Sequence, residues 1–521
     1  MKQSVSSVNL QNPLLLWLWI TLIVWWTGLA GRDFFLLPAL IFFGIYTFQI
    51  WNKQPSLIST KWINSSYAKR WLISLFLVHV VLYLAITILK YYSFRWNVWD
   101  VGSYSNILYN ISQGRFYSSY LGSHNWGDHF TPSMSPLALF YLWIPSTHWL
   151  TLAKTTAYLS VPLLIYKICK ESFQNKEQAW SITVIVGAAW MLFYAPALNS
   201  LYYEFQPSAL APPFILYAFL CFQRDLWIRF WLTMIFLLGF KEHLGAVWIG
   251  FGCFMVLATP NKKRGLFLIF GGIISIYLTM FYIMPYFRNF EESWSMPIGP
   301  FQDIQGKLIY IIKLLIPLGF LPLIFWRFGI IAGPAIGVNL LSSSSNMYST
   351  SYHYDDIPAT LLMVSIILIA STGWQKIEFW ARKRVSQWLL AGWIVFVLIL
   401  LPSSPMRELY SSIPNKLHIS IRKELIEFDQ FSKDDPIAVQ TSLGPQFNRT
   451  NILAITQNSY GICGPMKRDL IAQETKYLVF SKSLNHYLIE NLQQCIKEIN
   501  LSKDYEILNA YQNLQIYKKN N

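Results

Sequence analysis

Residues 71–104 read WLISLFLVHVVLYLAITILKYYSFRWNVWDVGSY. The first part of this stretch, residues 71–92, is almost entirely apolar and is long enough to cross the hydrocarbon core of a bilayer as a helix. The second part is rich in aromatic residues and contains Asp100. The stretch therefore predicts a membrane-spanning helix that delivers a carboxylate to one membrane surface.

The composition extends this prediction to most of the chain. Of its 521 residues, 54% are hydrophobic and only 13% are charged, whereas a soluble domain carries about 25% charged residues. Apolar runs of roughly 16 to 23 residues recur from Leu14 to about Leu401, as in proteins with many membrane spans. The 23 Trp and 30 Tyr residues suit two interfacial belts.

The net charge of +15 is not interpreted as a nucleic-acid-binding surface. In the apolar part, lysine and arginine cluster in short loops between the predicted spans, which is the pattern of cytoplasmic loops. These predicted cytoplasmic loops contain Lys53, Lys61, Lys69 and Arg70; Lys167, Lys170 and Lys176; Arg224 and Arg229; Lys262, Lys263 and Arg264; Arg327; and Lys376, Arg382, Lys383 and Arg384.

The alternation of these loops predicts an all-α polytopic membrane protein with about 13 crossings, its N-terminus in the cytoplasm and its tail outside. The spans are expected at roughly 14–30, 33–50, 71–92, 149–167, 179–196, 207–222, 226–240, 244–258, 265–285, 308–325, 328–342, 357–373 and 387–402. The short pair 226–240 and 244–258 is interpreted as two half-length helices meeting at Lys241-Glu242-His243. Residues 133–148, which contain two prolines, are interpreted as re-entrant or interfacial.

Charge rises and apolar runs shorten from about Ser403. The tail, residues 403–521, is predicted to be a small soluble α/β domain, with β-like runs at 436–440, 477–480 and 514–517 and helices at 422–431 and 484–499. It follows an N-terminal hairpin and cytoplasmic loop (1–70) and a transmembrane domain (71–402) with a large first outer loop (92–132). If the tail is exported, Cys463 and Cys495 can form a disulfide; the alternative is that both remain free thiols.

Acidic and histidine side chains of the apolar part lie mostly on the face opposite the basic loops. They are Asp100, Asp128, His129, Glu204, Glu242, His243, Glu291, Glu292, His353, Asp355 and Asp356. In the first outer loop, Asp128 beside His129 offers an acid–base pair or two hard ligands for a cation. Asp100 is either functional or a cap of the next helix.

Three further groups are candidate binding residues, each with a structural alternative. Glu204 lies in an aromatic turn and can bind a polar substrate or simply face water. Lys241-Glu242-His243 interrupts apolar sequence and can bind an anionic group, or Lys241 and Glu242 can neutralise each other. His353 and Tyr354 can hydrogen-bond a sugar or phosphate, while the two aspartates that follow can cap a helix.

These segments occur in the order of a known pattern: WDVGSYSNILYNISQGRFY (99–117), GDHFTP (127–132), YEFQPSALAPP (203–213), GFKEH (239–243), NLLSSSSNMYSTSYHYDDIPA (339–359), VQTSLGPQFNR (439–449) and KYLVF (476–480). In this order the chain resembles the bacterial membrane-protein family known as domain-of-unknown-function family 2079, from about Arg70 to about Lys518. It departs from the family pattern at Ser105-Asn106, Gln206 and His243. Members look distantly like the GT-C class of integral-membrane glycosyltransferases.

The resemblance implies a multi-pass protein of the bacterial inner membrane that takes a sugar from a polyprenyl-phosphate donor at the outer face, with inversion. It points to Asp100, and secondarily to Asp128, as catalytic. On this reading Lys241 and His243 hold the donor phosphate, and Asp128 and His129 position the acceptor or a divalent cation, magnesium or manganese. The residues alone leave two alternatives open: a transporter or flippase of a lipid-linked or anionic solute, and a non-catalytic scaffold. Protein partners cannot be predicted.

Overall fold

The computed structural model describes residues 13–29, 41, 44–45, 66–288, 298–381, 392–395, 397–433, 435–457, 463–465, 475–485, 489, 491–502, 504–508 and 511–520. Glu291, Glu292 and the predicted span 33–50, apart from residues 41 and 44–45, lie outside the described residues. The helices that precede the tail are α1 (Pro13–Thr27), α2 (Ser66–Tyr92), α3 (Ser103–Ser112), α4 (Ala138–Trp143), α5 (His148–Ser172), α6 (Lys176–Ala188), α7 (Ala195–Tyr202), α8 (Ala211–Gln223), α9 (Trp227–Leu238), α10 (Gly245–Ala258), α11 (Lys262–Leu278), α12 (Met284–Phe287), α13 (Ile304–Leu315), α14 (Leu321–Ile324), α15 (Trp326–Gly329), α16 (Gly333–Leu341) and α17 (Asp356–Ala381).

Within the described residues, three helical stretches are long and apolar enough to cross a membrane: Ser66–Tyr92, Lys262–Phe287 and His353–Gly373. A fourth is added if Lys176–Phe193 and Ala195–Tyr202, which meet at a bend of 49°, form one span. The predicted count of about 13 crossings is therefore not confirmed.

Local chain breaks explain why several predicted spans are shorter than expected. The predicted span 308–325 is wrong as a continuous helix. Gly319 and Phe320 adopt left-handed conformations (φ 61° and 54°), so the helical stretch ends at Leu318. The helical pair α9 and α10 does meet at a short 3₁₀ turn, Glu242–Leu244, which confirms the predicted half-length pair. Residues 133–148 contain only a 3₁₀ turn and the six-residue α4 before α5 begins.

The stretch His353–Gly373 comprises the 3₁₀ turn His353–Asp355 and the first part of α17. It is the most buried of the three apolar stretches. In its most apolar window 78% of the residues are buried, against 22% in α2 and 17% in Lys262–Phe287. A helix that is apolar on all sides and surrounded by protein must pack against neighbours all round. The other two stretches expose most of their apolar residues, whereas the turn that leads into α17 and the first residue of α17 carry Asp355 and Asp356 into the protein interior.

The tail is an α/β unit, as predicted. Two short strands, β1 (Tyr117–Ser118) and β2 (Ser123–His124), pair earlier in the chain, in the loop of residues 92–132. The tail has helices α18 (Pro405–Ser412), α19 (Lys416–Phe431) and α20 (Leu492–Ser502) and strands β3 (Ile437–Val439), β4 (Ile452–Gln457), β5 (Cys463–Pro465), β6 (Tyr477–Phe480), β7 (Tyr505–Leu508) and β8 (Gln515–Lys519). The sheet order is β5-β4-β3-β6-β8-β7, with β4, β3 and β6 parallel and the outer pairings antiparallel. The helix predicted from residue 484 begins instead at Leu492.

Alternate residues of the central strands face opposite helices, as strand geometry requires. Ile437 and Val439 of β3 pack with α19, whereas Ala438 packs with α20. The α19 layer also contains Phe94, Val98 and Tyr120 of the first outer loop. The tail therefore shares a hydrophobic core with the loop that carries Asp100.

Candidate functional site

Asp100 lies in a short π-helix, Val98–Gly102, and its carboxylate is bound by side chains from the turn after α7. Tyr203 Oη donates to Asp100 Oδ2 at 2.9 Å, and Gln206 Nε2 donates to Asp100 Oδ1. The N-terminal end of α3 has no side-chain cap. The capping alternative for Asp100 is therefore wrong, because both oxygens are engaged by distant side chains.

Burial raises the pKa of Asp100, although the Tyr203 hydrogen bond and the positive charge of Lys241 oppose the rise. A carboxylate with a raised pKa is a stronger proton acceptor than a free aspartate. The residue is only partly buried, so its environment combines desolvation with access from outside.

Gln206 connects Asp100 to Lys241. Its amide nitrogen binds Asp100, while its amide oxygen accepts from Lys241 Nζ at 3.1 Å and from Tyr104 Oη at 3.3 Å. The structure records no direct ion pair between Lys241 and Glu242, both of which it describes. Burial acts in the opposite direction, but the positive charges of His129 and Lys241 lower the pKa of Glu242, so the mutual neutralisation of Lys241 and Glu242 stays a prediction. One amide therefore holds a carboxylate and an ammonium on its two ends.

Glu204 holds the chain that enters the π-helix. Its two carboxyl oxygens accept from the backbone and side-chain nitrogens of Asn97, each at 2.8 Å. Burial, together with the nearby negative charge of Asp100, raises the pKa of Glu204 to about 8. Glu204 is buried rather than facing water, so it supports the position of Asp100.

Asp128, His129 and Glu242 form a second group of ionisable side chains. Together with the first group, Asp100 and Glu204, they are called the acidic cluster. His129 Nδ1 lies 3.0 Å from Glu242 Oε1, and His129 Nε2 lies 3.8 Å from Asp128 Oδ2. The second carboxyl oxygen of Glu242 is buried without a hydrogen-bond partner. Such an atom is costly to leave unpaired, so it is a position where a bound polar group would be stabilised.

Tyr104 lies within electrostatic range of both parts of the cluster. Burial raises the pKa of its phenol, and the negative charges of Asp128, Asp100 and Glu242 raise that pKa further. Three carboxylates separated by long stretches of sequence therefore act on one hydroxyl.

His353 completes the site from the start of α17. Its ring lies 5.0 Å from the ring of Tyr203 and 4.1 Å from that of Tyr354. Both ring nitrogens are buried and lack a hydrogen-bond partner. His243 lies in the turn between α9 and α10, and no hydrogen bond joins it to the other site residues that the structure describes.

The sequence analysis did not single out two lysines, Lys90 and Lys154, that bind the backbone of residues 202–204. Lys90 Nζ donates to the carbonyl of Tyr202 at 2.5 Å, and Lys154 Nζ donates to the carbonyls of Tyr203 and Glu204. Both ammonium groups lie at the C-terminal end of α7, where cations favour the helix dipole. Their position inside apolar runs was the signal that was available.

The structural alternative that Asp355 or Asp356 caps α17 is wrong. Asp356 accepts from Tyr158 and, at 3.0 Å, from Ser208, while Asp355 accepts from Tyr310 at 2.7 Å. Their side chains therefore tie α17 to neighbouring helices instead of closing its own first turn.

The described part of the chain contains no group of three or more His, Cys, Asp or Glu residues arranged to hold a metal ion. Asp128 and His129, which are predicted to position the acceptor or a divalent cation, do not form such a group with Glu242.

The tail covers the Asp100 segment. The backbone nitrogen of Val98 donates to the carbonyl of Thr441 at 3.0 Å, and Asn106 Nδ2 donates to the carbonyl of Arg449 at 2.8 Å. Gly444 comes so close to Val98 that an added Cβ would lie 2.2 Å from its side chain. The loop after β3, residues 441–450, therefore forms a roof beside the acidic cluster.

Comparisons with known proteins concern the fold and the family. The structure resembles that of ArnT from Cupriavidus metallidurans bound to undecaprenyl phosphate, with a TM-score of 0.52 at 12% identity over 86% of this chain and 98% of that chain. The apo form of the same protein has a TM-score of 0.49 at 12% identity, covering 87% and 98%. At this identity the likeness shows the fold alone. No curated protein matches the sequence.

The family is shown by the sequence itself. The family described as "Predicted membrane protein (DUF2079)" matches residues 90–434, which is most of the chain and includes the outer-loop segment around Asp100, the turn with Glu204, and Lys241-Glu242-His243. The chain belongs to the DUF2079 family of predicted membrane proteins.

Proposed function

We propose that this protein is a GT-C-like membrane glycosyltransferase that transfers a sugar from a polyprenyl-phosphate donor to an acceptor hydroxyl at the outer face of the membrane. One observation carries the proposal: a partly accessible carboxylate, Asp100, is linked through Gln206 to an ammonium group, Lys241. The ArnT-like fold supports it, because the ArnT structure was solved with undecaprenyl phosphate.

Asp100 is the general base of the proposed reaction. It takes the proton of the acceptor hydroxyl while that oxygen forms a bond to the anomeric carbon from one face. The bond from the anomeric carbon to the donor phosphate breaks on the other face, and polyprenyl phosphate leaves with the electron pair. This in-line arrangement inverts the anomeric centre.

Lys241 and His243 bind the departing phosphate in this proposal. An ammonium group stabilises the charge that develops on a leaving phosphate more strongly in a water-poor site than in bulk water. Asp128, His129 and Glu242 position the acceptor or hold a divalent cation, and the unpaired oxygen of Glu242 suits either role. Glu204, His353 and Tyr354 line the sugar side.

The proposed site requires the tail to lie outside the cytoplasm. Cys495 is disulfide-bonded, whereas Cys169, Cys221 and Cys253 are free. Disulfides persist in oxidising compartments. The disulfide therefore supports a protein of the cell membrane whose tail lies outside the cytoplasm. A C-terminal alkaline phosphatase fusion should be active and a green fluorescent protein fusion dark; the reverse pair would overturn the orientation.

The transfer experiment supplies membranes with radiolabelled polyprenyl-phosphate sugars and measures label in acceptor material. Wild type should transfer label, Asp100→Asn and Asp128→Asn should not, and Asp303→Asn should behave as wild type. Asp303 is a matched control, because its carboxylate caps α13 and accepts from Gly306 N, a role that asparagine also fills. Normal transfer by both site variants would refute the catalytic assignment.

The alternative of transport is separated by the same membranes. Wild type that transfers no label from a panel of donors, yet moves a fluorescent polyprenyl phosphate between leaflets in vesicles, would replace the transferase with a flippase.

A further inference from the structure

A cavity of about 330 Å³ lies away from the acidic cluster, between α1, α7, α13 and the segment that leads into the tail. Its lining includes two basic residues, Lys313 and Arg407, and contains no acidic residue. None of the residues proposed above for transfer lines it. The cavity is therefore a separate positively charged site.

The two cations have no ion-pair partner among the residues that the structure describes. Glu408, which follows Arg407, is turned to Lys90 at 3.3 Å and to Arg95 at 3.9 Å instead. Arg407 lies in the first turn of α18, whose N-terminal end is already capped by Ser404, since Ser404 Oγ accepts from Arg407 N at 3.0 Å. The anion preference therefore rests on the two exposed, unpaired cations that line one cavity.

The other walls of the cavity are apolar or uncharged. Trp25 and Leu401 are both 4% exposed and belong to one hydrophobic cluster, and Trp25 Nε1 donates to the carbonyl of Pro402 at 2.9 Å. Asn199 of α7 and Ser351 add polar groups. An apolar wall beside two cations is the pattern expected for a charged headgroup attached to a chain.

The location favours a lipid over a free ion. On α13, Ile304, Leu308 and Ile312 are 56%, 54% and 44% exposed, so this helix presents an apolar face to its surroundings next to Lys313. Large exposed apolar side chains at helical spacing in a membrane protein face lipid. Lys313 is thus at the border between the lipid and the cavity.

We infer that this cavity binds the phosphate-bearing headgroup of an anionic membrane lipid, with Lys313 and Arg407 on the phosphate and the wall around Trp25 and Leu401 against the chain. The site stands apart from sugar transfer and does not depend on it. It shares α7 with the proposed active site, since Asn199 lines the cavity and Tyr203, just beyond the end of α7, binds Asp100.

The test measures lipid retention by the full chain. Delipidated protein in detergent is titrated with dioleoylphosphatidylglycerol and bound lipids are counted by native mass spectrometry. The double variant Lys313→Gln with Arg407→Gln should bind roughly 25-fold more weakly than wild type, since each basic group near anionic headgroups contributes about a factor of five. Lys313→Arg, which keeps the charge, should bind as wild type.

The matched control removes two other exposed cations, with Arg327→Gln and Lys416→Gln, and should retain the lipid. Equal binding by wild type and the cavity double variant would overturn the inference, as would equal losses in both double variants. A parallel arm adds inorganic phosphate: displacement of the lipid at equal concentrations of the two would show a site for a free anion and overturn the assignment to lipid. Matching unfolding temperatures of all lipid-free variants exclude misfolding as the cause.

Discussion

The first outer loop and the start of α17 each hold a carboxylate between a tyrosine and a second polar side chain, yet they differ in access. Asp100 accepts from Tyr203 and Gln206 and is partly exposed beneath the tail. Asp356 accepts from Tyr158 and Ser208 and is 1% exposed inside the bundle. The hydrogen-bond donors around a carboxylate therefore do not by themselves distinguish a reactive carboxylate from a structural one. The difference is whether a ligand can reach the carboxylate.

The largest expected effect is on activity at Asp100. Asp100→Asn keeps the shape of the side chain but removes the proton acceptor, so transfer should fall about 10²- to 10⁴-fold. Asp356→Asn should leave transfer per folded molecule within about two-fold, because no substrate reaches it. Labelled-sugar transfer, normalised to folded protein, measures both. Equal losses of turnover in the two variants would end the contrast between the two regions.

The next effect is on stability at Asp356. Tyr158 and Ser208 donate to different oxygens of Asp356, and asparagine replaces one of these oxygens with an NH2 donor, so one of the two hydroxyls loses its acceptor; Lys154 also loses a nearby negative charge. One unsatisfied buried group costs about 1–3 kcal/mol, so Asp356→Asn should lower the free energy of unfolding by about that amount. Asp100→Asn should cost less, because water can reach its partners. Unfolding curves in detergent compare the two, and a larger loss at Asp100 would contradict the difference in access.

A third expected effect is a pH dependence of the stability that comes from Glu204, the buried neighbour of Asp100. Its pKa is about 8 in the folded protein, against an ordinary value of 4.5. As the pH rises from about 4.5 to about 8, the unfolded chain releases this proton while the folded chain keeps it, so the contribution of Glu204 to stability falls across that window. Glu204→Gln stays neutral, and its unfolding temperature should therefore fall less than that of wild type between pH 5 and pH 8. Parallel pH profiles would show that Glu204 is ionised in the fold.

The smallest effect is expected at Asp303, an exposed carboxylate with a conventional role. It caps α13 from a left-handed conformation (φ 46°), which asparagine also tolerates. Asp303→Asn should change the free energy of unfolding by less than about 0.5 kcal/mol. Asp303→Ala should cost about 1 kcal/mol, because the cap is lost. A large effect of the asparagine variant would mean that sequence-based capping rules fail here as well as at Asp100.

These contrasts also mark how far local sequence rules reach. Capping statistics proposed a role for Asp100, Asp355 and Asp356 from their neighbours in sequence, but each binds a side chain that lies at least 45 residues away. The turn at Lys241-Glu242-His243 was predicted correctly, because three ionisable residues interrupt an apolar run locally. The break at Gly319 and Phe320 was missed, because apolar residues on both sides concealed a turn.

The sequence by itself determined the membrane class, the family, the presence of an α/β tail and the set of polar residues that the apolar chain tolerates. Apolar composition and the order of short motifs suffice for these, since they are properties of neighbouring residues. Only the tertiary structure decided which polar residues meet. Asp100 and Lys241 share Gln206, Lys90 and Lys154 hold the end of α7, and the 441–450 loop covers the site. Each of these contacts joins segments far apart in the chain, because a buried polar group must find a partner wherever the packing of helices brings one.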